Sequence, residues 1–295
     1  MNDHIVRGLS SAGGIRILAC STTGLAREIC ILQGASPTVS IALGRGLAGG
    51  ALMGALLKPG QRIAMKFEGN GPLQKMIIEA DADGAVRGCV GNPAAEAEPL
   101  DGRWNVPEII GRAGFLTVSK DIGMGGEPYH GMVQLQSSEI GDDLAYYLTE
   151  SEQVPSAVGL SAGINGEGRI SFSGGFLVQA LPRAEETELE AVMANIAALP
   201  PLADVLKDGP DALLGRIFGD TPYTRLESHD LFFRCGCSRE KVERALTSFS
   251  AADIKEMIAH DGGAHVVCEF CRQSYSFSSE ELEQVAGPPA APDGR

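Results

Sequence analysis

Two pairs of cysteines dominate residues 234–271, which read RCGCSREKVERALTSFSAADIKEMIAHDGGAHVVCEFC. Cys235 and Cys237 form the first pair, Cys268 and Cys271 form the second, and 30 residues separate the pairs. Four convergent thiolates give a closed tetrahedral shell, which is typical of structural zinc. The spacing therefore predicts a zinc site made by all four cysteines. The metal would hold together a unit of about 55 residues whose own core is small.

The sequence around the cysteines predicts a small α+β unit. Ser238 can cap a helix that runs to about residue 247, and Ser250 with Asp253 forms a capping box for a second helix. The segments AHVV and SYSF, on either side of the second cysteine pair, have the composition of short strands. A Cys-x-x-Cys turn between two short strands is the geometry of a zinc knuckle.

The remaining cysteines and the nearby histidines are interpreted without a metal. His260 and His265 are read as ordinary helix-end or loop residues, because four thiolates already complete the shell. Cys20, Cys30 and Cys89 stand next to apolar residues and are read as small buried hydrophobic side chains.

The composition predicts a soluble globular protein. The 295-residue chain has 44% hydrophobic and 21% charged residues. Its net charge of −14 disfavours binding to nucleic acid and to anionic membrane surfaces. The first residues, MNDHIVRGLSSAGG, lack the basic start and apolar core of a secretory signal. With an odd number of cysteines, seven, this predicts a protein of the reducing cytoplasm.

Residues 37–57 are apolar and about as long as a membrane-spanning helix. Arg45 lies near the middle of this segment, where a charge is costly in lipid, so we expect a buried core helix instead. Ser36 would be its N-cap and Pro37 its first residue. Three glycines at four-residue spacing would let a strand or another helix approach closely: Gly46, Gly50 and Gly54.

Residues 1–182 are predicted to form an antiparallel sheet with helices packed on it, which is an α+β arrangement. The strand-like segments occur mostly in hairpins, for which residues 81–84 (DADG) and Asn165-Gly166 supply the turns. Residues 138–153 are predicted to form an amphipathic helix with acidic residues in its first turn.

Residues 183–229 are predicted to be a helical connector. Its helical periodicity is interrupted at Pro200-Pro201 and at Gly209-Pro210, and such short helices depend on docking to a neighbour. We expect them to dock on the apolar face of the N-terminal sheet. Residues 230–286 would then be the zinc-binding domain, and residues 287–295, rich in proline and glycine, a disordered tail.

Three roles for the paired cysteines follow from the residues alone. A nucleic-acid-binding zinc ribbon is disfavoured, because residues 232–284 hold nine acidic and only six basic residues. A dithiol oxidoreductase would use Cys268 and Cys271, but such pairs normally open a helix that lowers a thiol pKa. In a redox switch, oxidation turns zinc thiolates into disulfides, so the site loses its metal and its fold together.

We expect no catalytic set in residues 1–182, and the protein is predicted not to be an enzyme. The scattered acidic residues are interpreted as solvated, and His130 as a loop residue without an evident partner. A pocket that joined His130, a carboxylate and a serine would contradict this expectation.

The cysteine run resembles the C-terminal signature of the redox-regulated heat-shock chaperonins of 33 kilodaltons. The resemblance rests on residues 234–240 (RCGCSRE) together with residues 268–271 (CEFC). It extends over nearly the whole chain through four further segments: GNGPL (69–73), GEPYHG (126–131), DDLAYYLTESEQVPSAVGL (142–160) and GGFLVQALP (174–182).

This resemblance implies an ATP-independent holdase of the cytoplasmic stress response. In the reduced, inactive state Cys235, Cys237, Cys268 and Cys271 would bind one zinc per chain. Oxidation would form the disulfides Cys235–Cys237 and Cys268–Cys271, release zinc, unfold the C-terminal domain and loosen the connector. The protein would then dimerise and hold unfolded client proteins on newly exposed apolar surface.

Overall fold

The computed structural model describes residues 2–123 and 127–285. The chain divides into two compact units, Met1–Arg234 and Cys235–Arg295. Both units combine helices with antiparallel strands, so the predicted α+β class is confirmed. Residues 287–295, predicted to be a disordered tail, lie outside the described residues.

The first unit is built on two sheets. Its strands are β1 (His4–Ser10), β2 (Ile15–Ser21), β3 (Arg62–Gly69), β4 (Lys75–Asp81), β5 (Ala85–Val90), β6 (Gly114–Asp121), β7 (Tyr129–Gln134), β8 (Ser156–Ile164), β9 (Ile170–Ala180), β10 (Tyr223–Asp230) and β11 (Phe232–Phe233). One sheet has the order β10-β1-β2-β9-β8, and the other has the order β11-β5-β4-β3-β6-β7. All neighbouring strands are antiparallel except β11 and β5, which are parallel. The hairpins predicted at residues 81–84 and at Asn165-Gly166 join β4 to β5 and β8 to β9, and both are confirmed.

Helices fill the space next to these sheets. The helices of the first unit are α1 (Thr23–Gln33), α2 (Pro37–Gly54), α3 (Val106–Ile110), α4 (Ile140–Glu150), α5 (Glu186–Ala197), α6 (Leu202–Val205) and α7 (Pro210–Phe218), with a 3-10 turn at Leu206–Asp208. Helix α2 is buried along most of its length and contacts strands of both sheets. It is the centre of the larger hydrophobic core.

The start and the glycines of α2 agree with the expectation of a buried core helix. The Ser36 hydroxyl accepts a hydrogen bond from the Val39 N–H at 3.3 Å, and a proline stands in the first turn. A Cβ at Gly50 would lie 2.4 Å from Cγ2 of Ile78, so only glycine lets β4 approach this closely. Arg45 forms an ion pair with Glu139 at 2.6 Å.

Among the described residues, no single helix has the length and apolar composition needed to cross a membrane. Glu186–Ala197 and Leu202–Asp208 meet the length and composition criteria only as a pair, and the two are bent by 92° relative to each other.

The helices of the connector pack on the sheet that contains β1, β2 and β9. A second hydrophobic cluster joins strand residues to helix residues: Val6, Ile15, Ile17, Ala19, Phe176 and Val178 with Val192, Val205, Leu206, Leu213, Leu214, Ile217 and Phe218. The prediction that the connector docks on an apolar face of the N-terminal sheet is therefore confirmed. A single turn such as α6 gains its stability from this contact and not from its own length.

The end of the connector differs from the expectation of a helix. Residues 223–230 form strand β10, which pairs with β1, and residues 230–234 belong to the first compact unit. The helical expectation is wrong for this segment because the exposed edge of β1 supplies hydrogen-bond partners that an isolated segment lacks. The sequence of this segment alone contains no information about that edge, because β1 is remote in the chain.

The second unit contains α8 (Arg239–Leu246), α9 (Ala251–Asp261), β12 (Gly263–Val267), β13 (Ser274–Ser278) and α10 (Ser279–Val285). The predicted caps are confirmed: the Ser238 hydroxyl accepts from the Lys241 N–H, and Ser250 and Asp253 form a capping box. Among its described residues, the core has only four buried apolar side chains: Leu246, Ile254, Phe277 and Leu282. Such a small core is weak support for a folded unit.

Candidate metal centre

The four cysteines of the second unit converge on one point. Cys235 and Cys237 lie just before α8, and Cys268 and Cys271 lie in the turn between β12 and β13. Their sulfur atoms all lie within 4.8 Å of one another. Sγ of Cys235 is 3.7 Å from Sγ of Cys268, and Sγ of Cys237 is 3.3 Å from Sγ of Cys271. A tetrahedral shell with metal–sulfur bonds of about 2.3 Å places sulfurs about 3.8 Å apart, so this arrangement fits a metal ion.

The turn between β12 and β13 orients the sulfurs of Cys268 and Cys271 toward the same point. The Cys268 N–H donates to the Gln273 carbonyl at 2.9 Å, and the Arg272 N–H donates to the Cys268 carbonyl at 3.0 Å. Arg272 adopts a left-handed conformation with φ of 60°, which closes the turn. These bonds define the turn that carries the second cysteine pair.

Tyr275 is a neighbour of the cluster that the sequence analysis did not single out. Its hydroxyl donates a hydrogen bond to Sγ of Cys237 at 3.1 Å. The alternation along β13 contains a signal for this position, because Tyr275 and Phe277 are two residues apart and share one face of the strand. Hydrogen bonds to ligand sulfurs tune the affinity of a metal site.

The electrostatics of the centre favour a bound cation. Burial raises the pKa of Cys271 to about 12, and hydrogen bonds with the other three thiols add to the rise. The hydrogen bond to Cys237 is the main cause that raises the pKa of Tyr275 to about 12. Thiols this close together keep their protons unless a cation compensates the charge of the thiolates. The donor set is therefore suited to a soft, thiophilic metal ion.

The other cysteines and the nearby histidines do not belong to this cluster. Cys20, Cys30 and Cys89 are buried in the first unit, as expected, and burial raises the pKa of Cys20 to about 12 and that of Cys30 to about 11. His265 lies on β12, where Nδ1 is 3.1 Å from the Ser276 hydroxyl. Within the part of the chain that the structure describes, the cysteine cluster is the one group with the proximity of metal ligands.

His130 lies on strand β7 and not in a loop, and it has a partner that the sequence did not reveal. Its Nδ1 is 2.8 Å from the hydroxyl of Ser119, which is opposite it on β6. Cross-strand pairing creates this contact, and residue spacing does not encode it. No carboxylate among the described residues hydrogen-bonds to His130, so the structure shows a pair and not a triad.

Comparison with known proteins agrees with the resemblance seen in the sequence. A family model described as Hsp33 protein matches residues 3–278. The chain belongs to the Hsp33 family.

Similar proteins cover nearly the whole chain. The 33 kDa chaperonin of Pelobacter propionicus is 66% identical over 287 residues, which are 97% of this chain and 94% of that protein. The 33 kDa chaperonin of Geobacter sulfurreducens is 50% identical over 97% of this chain and 95% of that protein. The crystal structure of the 33 kDa chaperonin (heat shock protein 33 homolog) of Thermotoga maritima has a TM-score of 0.88 and 32% identity, covering 97% of this chain and 98% of that one.

Membership of the Hsp33 family supports a heat-shock chaperone that binds unfolded proteins. The family name suggests a role other than catalysis. The four grouped cysteines are compatible with redox-regulated metal binding in such a protein.

Proposed function

We propose that this chain is a redox-regulated, ATP-independent holdase that is inactive in its reduced state. One zinc ion per chain is bound by Cys235, Cys237, Cys268 and Cys271. The observation that carries the proposal is the convergence of these four sulfurs in a unit with so small a core. Zinc, when bound, supplies the charge and the folding free energy that the second unit lacks.

Each part of the chain has a separate role in this proposal. Residues 1–182 form the chaperone domain, residues 183–229 the connector and residues 230–286 the redox-switch domain. Oxidation of the thiolates releases zinc, and the second unit then unfolds. The connector loses its anchor and leaves the sheet, which exposes the apolar side chains of its docking face, such as Ile17 and Val178. Unfolded clients bind there, and the activated chains dimerise in the cytoplasm.

A dithiol oxidoreductase that uses Cys268 and Cys271 is the weaker alternative. This pair sits in a turn between two strands and does not open a helix, so no helix dipole is available to stabilise an attacking thiolate.

The test of the proposed function is suppression of aggregation of a heat-unfolded protein by the full chain. Reduced, zinc-loaded protein is expected to leave aggregation nearly unchanged, whereas peroxide-treated protein is expected to suppress it without ATP. Light scattering measures the aggregation, and a chromogenic chelator records zinc release in the same sample. Equal activity of the reduced and oxidised forms would contradict the redox switch, and activity in neither form would contradict the holdase.

The disulfides formed on oxidation are proposed to be Cys235–Cys237 and Cys268–Cys271. In the reduced cluster the contacts at 3.7 and 3.3 Å cross between the pairs and join residues that are 33 and 34 apart in sequence. Once zinc leaves and the unit unfolds, closing a loop of that length costs more entropy than joining neighbouring thiols. Pairing within each motif is therefore favoured.

Peptide mapping of the oxidised protein by mass spectrometry tests this pairing. After alkylation of free thiols and proteolysis between residues 238 and 267, both linkages are expected within single peptides. Peptides that carry Cys235 and Cys268 joined to each other would contradict the proposed pairing. Cys20, Cys30 and Cys89 serve as internal controls, because burial protects them from the oxidant and they should be recovered alkylated and not disulfide-linked.

A further inference from the structure

Strand β10 covers the outer backbone edge of β1. It is the edge strand of its sheet and pairs with β1 along the whole of His4–Ser10. Hydrogen bonds close the ladder at both ends: the Leu231 N–H donates to the Asp3 carbonyl at 2.9 Å, and the Ser11 N–H donates to the Pro222 carbonyl at 2.8 Å. A segment of the same chain therefore occupies an edge that could accept any extended polypeptide.

Strand β10 is held in place mainly by backbone hydrogen bonds, because its side chains are hardly buried. Seven of its eight residues are exposed and none is buried, and the register shifts between Arg7 and Gly8. Side chains add an ion pair between Arg7 and Glu227 at 2.7 Å and a stacked contact between Phe218 and Tyr223, with ring centroids 4.2 Å apart. Ion pairs at the surface contribute little. Such a strand is expected to open locally at low cost.

Strand β1, in contrast, stays in the sheet without β10. Its Ile5 and Val6 side chains are 1% and 0% exposed. On its other side β1 pairs with β2 from His4 to Leu9. Removal of β10 would therefore leave an ordered strand with an unpaired row of backbone groups, and not a disordered segment.

The chain leads from β10 directly to the proposed switch. After Asp230 come Leu231, the two residues of β11, Arg234 and then Cys235. Strand β11 pairs only Phe232 and Phe233 with β5, and Arg234 forms an ion pair with Asp81. Leu231 is also buried in the main core and Phe233 packs against that core, so the first unit itself holds the four residues that link β10 to Cys235.

We propose that β10 is an autoinhibitory strand, and that β1 binds an extended segment of an unfolded protein when β10 leaves. The inference rests on the proposed function and names a binding site for its clients. The kind of partner follows from the strand that now pairs with β1. Because β10 is an extended segment held through its backbone, the partner should also be an extended segment that pairs through its backbone. Recognition through backbone groups makes little demand on sequence, which suits a protein that binds many unfolded chains.

Two proline substitutions in β10 test whether its hydrogen bonds to β1 matter. One removes an N–H that bonds to β1, and the other places the same residue type where no such bond is lost. Backbone groups of successive strand residues point to opposite sides, and the Asp3 carbonyl faces β10, so Ile5 and Arg7 face it too. Their partners are His229 and Glu227. Glu227→Pro removes an N–H that faces β1, whereas the N–H replaced in Ser228→Pro faces away. Glu227→Gln controls for loss of the ion pair with Arg7.

Amide exchange and peptide binding measure the effect in the full, reduced, zinc-loaded chain. In Glu227→Pro, the Ile5 and Arg7 amides are expected to exchange faster by a factor of about 10 or more, while Ser228→Pro and Glu227→Gln resemble the parent. The probe is a fluorescent synthetic peptide of residues 222–231. It should bind reduced Glu227→Pro but not the reduced parent, and a thiol-alkylated unfolded protein should displace it.

Oxidised parent protein gives a test that requires no variant. The Ile5 and Arg7 amides are expected to lose protection on oxidation, and the peptide is expected to bind and to be displaced by the unfolded protein. If oxidised protein suppresses aggregation while these amides stay protected, this inference is overturned and the proposed function stands. If oxidised protein does not suppress aggregation, the proposed function fails, and the client-binding role of β1 fails with it.

Discussion

A chain that ends at Asp230 is expected to suppress aggregation of a heat-unfolded protein without any oxidant. This cut removes the second unit and also β11, whose two residues pair with β5. The connector then loses the contacts of Leu231 and β11 and keeps only the pairing of β10 with β1 at its C-terminal end. Helices as short as α6 do not persist without support. Activity should rise from the near-absence expected of the reduced full chain to the level of the oxidised full chain.

Light scattering with equal concentrations of each protein checks this expectation, with and without peroxide. Peroxide should change the activity of the full chain strongly and that of the shortened chain hardly at all. A shortened chain that folds, as judged by its circular dichroism, but does not protect the client would show that coupling through the connector is wrong. In that case the cysteines would serve the stability of the second unit alone.

Replacement of Cys268 and Cys271 with serine is expected to unfold the second unit while the first unit keeps its structure. Loss of zinc removes folding free energy on the order of 10 kcal/mol, which exceeds what a domain with so few buried side chains can supply. The main core of the first unit is separate and includes buried residues such as Leu43 and Met65, so it should be unaffected. The variant should also be partly active in the reduced state.

Amide exchange resolved by peptide distinguishes the two units in this variant. Peptides from residues 239–261 should lose protection, whereas peptides from β2 and β9 should keep it. Cys30→Ala is the matched control, because Cys30 is buried in the first unit and lies outside the cysteine cluster. That variant should retain one zinc per chain. A double-serine variant with a protected second unit and no zinc would show that the metal is dispensable for folding.

Much of the fold follows from signals that lie close together in the sequence. The helix caps at Ser36, Ser238 and Ser250 form with their own first turns, so a short window contains all the relevant partners. The hairpin at Asn165-Gly166 is equally local. The cysteine spacing also predicts one converging cluster, because each pair is short enough to direct both sulfurs to the same point.

Other features depend on surfaces that are remote in sequence. β10 is a strand because β1 offers it an edge, and the Ser119–His130 contact exists because β6 and β7 pair in one register. Likewise, Tyr275 reaches Cys237 across 38 positions of the chain. Capping and turn formation are decided by the conformational preferences of a few consecutive residues. Strand pairing and contacts to sulfur are decided by which surfaces the folded chain brings together, and no local pattern specifies that choice.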